Sequence, residues 1–158
     1  TSRTTKIREQ YQTVRAVSDG SCQPLEAEDQ VIQSMPDASP TRWHLAHTTW
    51  FFENFVLAEH LPGYELFDER LNWFFNSYYE SQGPRILRTN RGNMTRPDVK
   101  TVFAYRQHVD QQIVQLLESL QGHGDEHDVV GAVSWVEKPQ WFLGGSCESI
   151  PAICKLRK

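Results

Sequence analysis

The sequence predicts an all-α protein, a helical bundle followed by an irregular C-terminal tail. Three observations predict it. Apolar residues recur at three- and four-residue steps through three long segments, no period-two alternation competes with that pattern before residue 121, and clusters of Ser, Asp, Gly and Pro separate the segments. The chain of 158 residues is long enough for one domain and too short for two comfortable ones. Hydrophobic residues make up only 39% of it, yet 5 Trp, 8 Phe and 5 Tyr supply large side chains to bury. The reading divides the chain into a bundle domain, residues 1–121, and a tail, residues 122–158.

The elements follow in order. Ile7, Tyr11, Val14 and Val17 make one helical face over residues 3 to 18, which Ser18-Asp19-Gly20-Ser21 should stop. A short helix is expected from Leu25 to Met35. Ser39 then reads as the cap of a helix with Pro40 at its first position, running to about residue 60 before Pro62-Gly63. On a wheel at about 100° per residue, Trp43, Trp50, Phe51, Asn54, Phe55 and Ala58 share one arc. His47 sits in the middle of that arc and His44 near its edge. An aromatic helix is expected from Asp68 to Tyr79, and a basic loop from 84 to 95. Thr95-Arg96-Pro97-Asp98 reads as a capping box opening a helix with Val99, Val102, Phe103, Val109, Ile113, Leu116, Leu117 and Leu120. Gly122-His123-Gly124-Asp125 breaks it, and beyond lies at most one short helix or strand around 128 to 137.

Charge narrows the function. The net charge of -4 argues against a nucleic-acid partner. Arg85, Arg88, Arg91, Arg96, Lys100 and Arg106 nevertheless crowd one segment with a single acid, Asp98. One basic stretch on an acidic protein fits a small carboxylate or phosphate better than a duplex; the alternative is a solvated loop paired with the protein's own acids. No run of 18 apolar residues is present, so no membrane span is expected. Cys22, Cys147 and Cys154 are odd in number and lack CxxC spacing, which argues for a reducing, cytoplasmic setting.

Three groups could carry chemistry. His47, amid an aromatic stripe, is either a core histidine bonded to a backbone carbonyl or to Asn54, or a metal ligand projecting into the bundle. His123 and His127 have the i, i+4 spacing that lets two imidazoles share a metal on a helix, but Gly122 and Gly124 favour a surface loop. Arg88 and Arg91 are three apart, and paired guanidinium groups can fork onto carboxylates. The cysteines have no base at useful spacing, and there is no phosphate-binding Gly-rich loop.

The stretch from Asp29 to Glu53, with Ser39-Pro40-Thr41-Arg42-Trp43-His44-Leu45-Ala46-His47 at its heart, resembles the amino-terminal DinB-like domain of EgtB-type sulfoxide synthases of ergothioneine biosynthesis. So do Phe75-Asn76-Ser77-Tyr78-Tyr79-Glu80 with Gly83-Pro84-Arg85, Thr95-Arg96-Pro97, and Ala104-Tyr105-Arg106-Gln107-His108-Val109-Asp110. The resemblance covers roughly residues 5 to 120. It implies a DinB-like helical bundle and a non-haem iron(II) held by three histidines. It implies oxygen-dependent C–S bond formation between a thiol, cysteine or gamma-glutamylcysteine, and trimethylated histidine. The histidine of the Leu-Ala-His motif, here His47, is one ligand, and Arg88 and Arg91 are the closest matches to the arginines that bind the thiol's carboxylates.

The resemblance places the other two ligands in a His-Glu-x-x-His-type segment on a further helix. His123 and His127 match its mutual spacing but arrive early, inside a Gly-rich stretch. It also implies a formylglycine-generating-enzyme-like partner domain, which in this case another chain would have to supply. Past residue 121 nothing resembles the family, the abrupt change a truncated or frameshifted product would give, and turnover by this chain alone is not expected. Two alternatives stand beside this reading. One is a stand-alone DinB-like metal-binding thiol transferase that recruits His123 and His127. The other is a non-catalytic interaction module, with an unfilled bundle side exposing apolar surface.

Overall fold

The computed structural model describes residues 3–77, 84–120 and 126–134, with only the backbone described at 126–128 and 134. Helix α1 (Arg3–Cys22) is followed by the short α2 (Ala27–Val31) and by α3 (Thr41–Phe52). A π turn (Glu53–Leu57) carries α3 directly into α4 (Ala58–His60). Then come α5 (Leu71–Phe75), a 3₁₀ turn (Arg88–Asn93), α6 (Val99–Ser119) and α7 (Glu126–Ser134). No strand occurs among the described residues.

Several boundaries differ from expectation, each for a local reason. Helix α1 runs through Ser18-Asp19-Gly20 to Cys22 because Asp19 accepts from Arg106 Nε at 2.9 Å and Cys22 is buried in the core. Ser39 does not cap α3; its hydroxyl accepts from Arg91 Nη1 at 2.9 Å, and the helix begins at Thr41. Asp98, not Thr95, caps α6, its carboxylate accepting from the Thr101 N–H at 2.8 Å. The expected aromatic helix over 68–79 shortens to Leu71–Phe75, and Tyr78 and Tyr79 lie outside the described residues.

Side-chain pairs give the helices their directions. Arg15 bonds Thr48 and Thr49 while Tyr11 packs edge-on against Phe52, so α1 and α3 are antiparallel. Arg8 bonds Glu118, Arg15 bonds Asp110 and Arg106 bonds Asp19, so α1 and α6 are antiparallel too. Helix α7 packs on α1 and on the π turn. Its Val129, Val130 and Val133 join the same core, and Val133 lines a small hollow with Ile7, Val14 and Phe52. The bundle side expected to be open is therefore filled, and the part of the tail that is described is helical at 126–134.

The π turn decides which residues face inward after Phe52. It adds a residue to the turn, so the wheel that predicts an apolar arc through Ala58 loses register. Glu53, Val56 and Leu57 are buried, and Ala58 is exposed. The buried Glu53 carboxylate accepts from Tyr64 Oη at 2.8 Å, the Phe67 N–H at 2.8 Å and Tyr105 Oη at 2.5 Å. Burial, reinforced by the Glu53 carboxylate, raises both phenols above their ordinary range and keeps them donors. One carboxylate thus ties the loop after α4 to α6. Glu53→Ala leaves three donors without their acceptor and is expected to cost about 3–5 kcal/mol, read from urea unfolding midpoints. Glu53→Gln, which keeps an acceptor oxygen, should cost distinctly less, and equal losses for the two variants would contradict this role.

Candidate functional site

The site is built on α3 by three aromatic side chains at spacings of four and three, Trp43, His47 and Trp50. The spacing puts them on one helical face. His47 is stacked between the indoles, with ring centroids 4.6 Å from Trp43 and 5.7 Å from Trp50 and both planes within 16°. Below Trp43 lies the Arg91 guanidinium, its Cζ 3.5 Å from the ring centroid. The result is a four-layer stack of guanidinium, indole, imidazole and indole.

Every ring of the stack has a polar nitrogen that needs a partner, and the segment 72–75 supplies all three. Trp43 Nε1 donates to the Phe74 carbonyl at 2.9 Å, Trp50 Nε1 to Asn72 Oδ1 at 2.6 Å, and His47 Nδ1 lies 2.6 Å from the Phe75 carbonyl. A carbonyl can only accept, so Nδ1 carries the proton and Nε2 keeps its lone pair. Burial drives the His47 pKa down to about 4, against the Phe75 carbonyl, which favours the charged ring; Arg91 lowers it further. His47 is therefore a neutral imidazole presenting Nε2. Asn54, the other partner considered for it, bonds the Trp50 carbonyl instead.

A model of the DinB superfamily matches residues 10–132. The chain belongs to the DinB superfamily. No curated protein matches the sequence. The match runs into α7 as far as residue 132 and so includes Val129 and Val130 of the core.

Of the other predicted site residues, Arg91 joins this stack and Arg88 lies three residues before it. Arg91 is buried, stacked on Trp43 and bonded to Ser39. Arg88 is exposed at the start of the 3₁₀ turn. That turn is clamped to the segment after α2 by Gln33, whose Nε2 donates to the Arg88 carbonyl at 2.9 Å and whose Oε1 accepts from the Gly92 N–H at 2.7 Å. The approach is so close that a Cβ at Gly92 would lie 2.5 Å from Gln33 Cβ. Arg42, fully buried, adds bonds to the carbonyls of Met94 and Pro97. His123 lies outside the described residues. His127 is in the first turn of α7, a helix that packs on α1 and on Glu53–Leu57. Among the described residues, no three His, Cys, Asp or Glu side chains converge on one point. No helix among them is long and apolar enough to cross a membrane.

Two participants were not singled out from the sequence. His44 flanks Trp43 on α3, its ring 5.6 Å from the indole centroid. Asn72 holds Trp50. The i, i+3 spacing of His44 and His47 is visible in the sequence, but nothing there shows that both rings turn inward. Burial lowers the His44 pKa to about 3, with His47, Arg91 and Arg88 acting in the same direction.

These shifts fix a pH dependence. An unfolded histidine takes up a proton near pH 6.5, whereas folded His47 does so only near 4. As pH falls through that window the unfolded state binds more protons, so stability declines. Above pH 7 neither state is charged and these groups contribute no slope. In the presence of chelator, the loss of stability between pH 7 and pH 4.5 should be smaller in His47→Gln than in the parent. An unchanged loss would contradict a neutral, buried imidazole.

Proposed function

We propose that this DinB domain is the metal-binding module of a non-haem iron(II)-dependent sulfoxide synthase of the ergothioneine-biosynthesis type, with His47 as a ligand. The observation that supports the reading is the 2.6 Å contact of His47 Nδ1 with the Phe75 carbonyl. Metal-binding histidines almost always donate their second ring nitrogen to a carbonyl or carboxylate, which sets the tautomer and aims the ligating lone pair. The indoles on either side fix the ring plane and lower the local polarity. The residues present fit one ligand position by this measure; His123 and His127 remain the proposed source of the others.

Iron(II), when bound, would supply the redox chemistry that dioxygen-dependent C–S bond formation needs. In the overall reaction a thiol S–H and a C–H of trimethylated histidine are lost, one oxygen atom ends on sulfur, and the other leaves as water. The chain's own residues bind and orient. Arg88, exposed on a turn that Gln33 and Arg91 hold in place, is the proposed contact for a carboxylate of cysteine or gamma-glutamylcysteine. Arg91, committed to Trp43 and Ser39, would position that turn rather than reach the substrate. The remainder of the catalytic centre would come from a formylglycine-generating-enzyme-like domain. A stand-alone metal-dependent thiol transferase is the second reading, favoured by α7 filling the bundle core within this chain.

Anaerobic iron(II) calorimetry on the full chain tests the metal reading. One-to-one binding in the micromolar range is expected, lost in His47→Ala. Absence of saturable binding in the parent, or unchanged binding in His47→Ala, would overturn it.

A further inference from the structure

Helices α1 and α6 border an open groove of about 960 Å³. Of its charged lining residues, Arg15 pairs with Asp110 and Arg106 with Asp19. What α6 presents beside these pairs is unusual for a face turned to water. Its exposed residues between Lys100 and Glu118 are Ala104, Gln107, Gln111 and Gln115, at three- and four-residue steps, and none is charged. A solvated helix face normally carries charge, whereas the centre of a protein–protein interface is depleted of it. The two charges that close the stripe stand at the wrong ends of their own helix. Lys100 is in the first turn of α6 and Glu118 in the last, each disfavoured by the partial charge of that helix end.

We propose that this face seats a second copy of the chain, the two α6 helices lying antiparallel about a two-fold axis level with Val109. That axis sets Lys100 opposite Glu118 of the second copy, Phe103 beside Val114, Ala104 beside Gln115 and Gln107 beside Gln111, each contact occurring twice. Opposite charges then meet at both ends of the stripe. Each also lies beside the end of the second copy's helix that attracts it, which accounts for their placement. Between them the glutamine amides offer one another donors and acceptors, and the half-buried Phe103 and Val114 add apolar contact. Because Arg15 bonds Asp110, Ala16 on α1 comes level with the axis, where a small exposed side chain admits close approach. Glu118 already bonds Arg8, but that pair is itself exposed, and such pairs contribute little. The face from Lys100 to Glu118 is about 27 Å long at the helical rise per residue. An interface of that length is at the small end of specific interfaces, so the dimer is a weak one, in the micromolar range. The proposal is independent of the metal reading of His47.

The test is sedimentation equilibrium of the 158-residue chain at low ionic strength, with chelator present, for the parent and four variants. The parent is expected to dimerise in the micromolar range. Lys100→Glu and Glu118→Lys should each weaken the dimer by about tenfold or more, because like charges then face each other at both ends. The double variant Lys100→Glu/Glu118→Lys exchanges the charges and should dimerise more tightly than either single variant. Ala16→Arg places a long charged side chain on the axis and should abolish the dimer. All three positions are exposed, so the fold should persist in every variant, as circular dichroism at low concentration would read. A parent that stays monomeric into the millimolar range would overturn the proposal. So would a dimer indifferent to the three single variants, or a double variant no tighter than the singles, either of which would place the contact on another surface.

Discussion

A buried ring nitrogen must find a partner, and that constraint organises the site end of this molecule. Trp43, His47 and Trp50 stack along α3, and one ring nitrogen of each makes a hydrogen bond within the protein. All three are answered by the four-residue segment 72–75. The stack thereby binds α5 to α3, and Arg91 extends it to the 3₁₀ turn through the other face of Trp43. Cation–π contact of this kind gains strength when the guanidinium is desolvated, as Arg91 is. The chemistry offered at His47 is a product of that same packing. The bond that satisfies Nδ1 is the one that leaves Nε2 with a lone pair.

The opposite face of the bundle is held by a different device. Arg15 and Arg106, both buried, bridge α1, α3 and α6 through Asp110, Asp19, Thr48, Thr49 and the Leu45 carbonyl. Buried ion pairs of this type recover desolvation cost only when their remaining hydrogen-bonding groups are also met. Here most are met by hydroxyls and carbonyls of a neighbouring helix, which fixes the helices in register as well as in contact. Two of the six basic residues in the segment 85–106, Arg91 and Arg106, thus work in the interior. The positive charge left for a ligand is correspondingly smaller than the sequence count implies.

Much of this was legible in the sequence, and the exceptions have physical causes. The three long helices are read from apolar spacing, because burial of one face is what makes them stable. The Trp-His-Trp spacing places His47 amid aromatic neighbours before any coordinates. The π turn at Glu53 was not legible, since its stabilising partners, Tyr64, Phe67 and Tyr105, lie up to 52 residues away. The cap of α6 was misread by three residues because Thr95 and Asp98 are both good capping residues, and only the observed bond from Thr101 chooses between them. A short helix or strand is expected around 128 to 137, and the structure has a helix at 126–134; the glycines before it and its own Gly131 leave its type open in the sequence, and three valines bury it against the bundle. Packing there outweighs weak intrinsic helix preference.

The central claim is that packing holds His47 in one tautomer, neutral, with Nε2 presented. Long-range ¹H–¹⁵N correlation spectra of the metal-free protein at pH 6 read this directly. The account predicts a pyrrole-type Nδ1 and a pyridine-type Nε2 for His47. A proton on Nε2, or a charged ring with two equivalent pyrrole-type nitrogens, would contradict it.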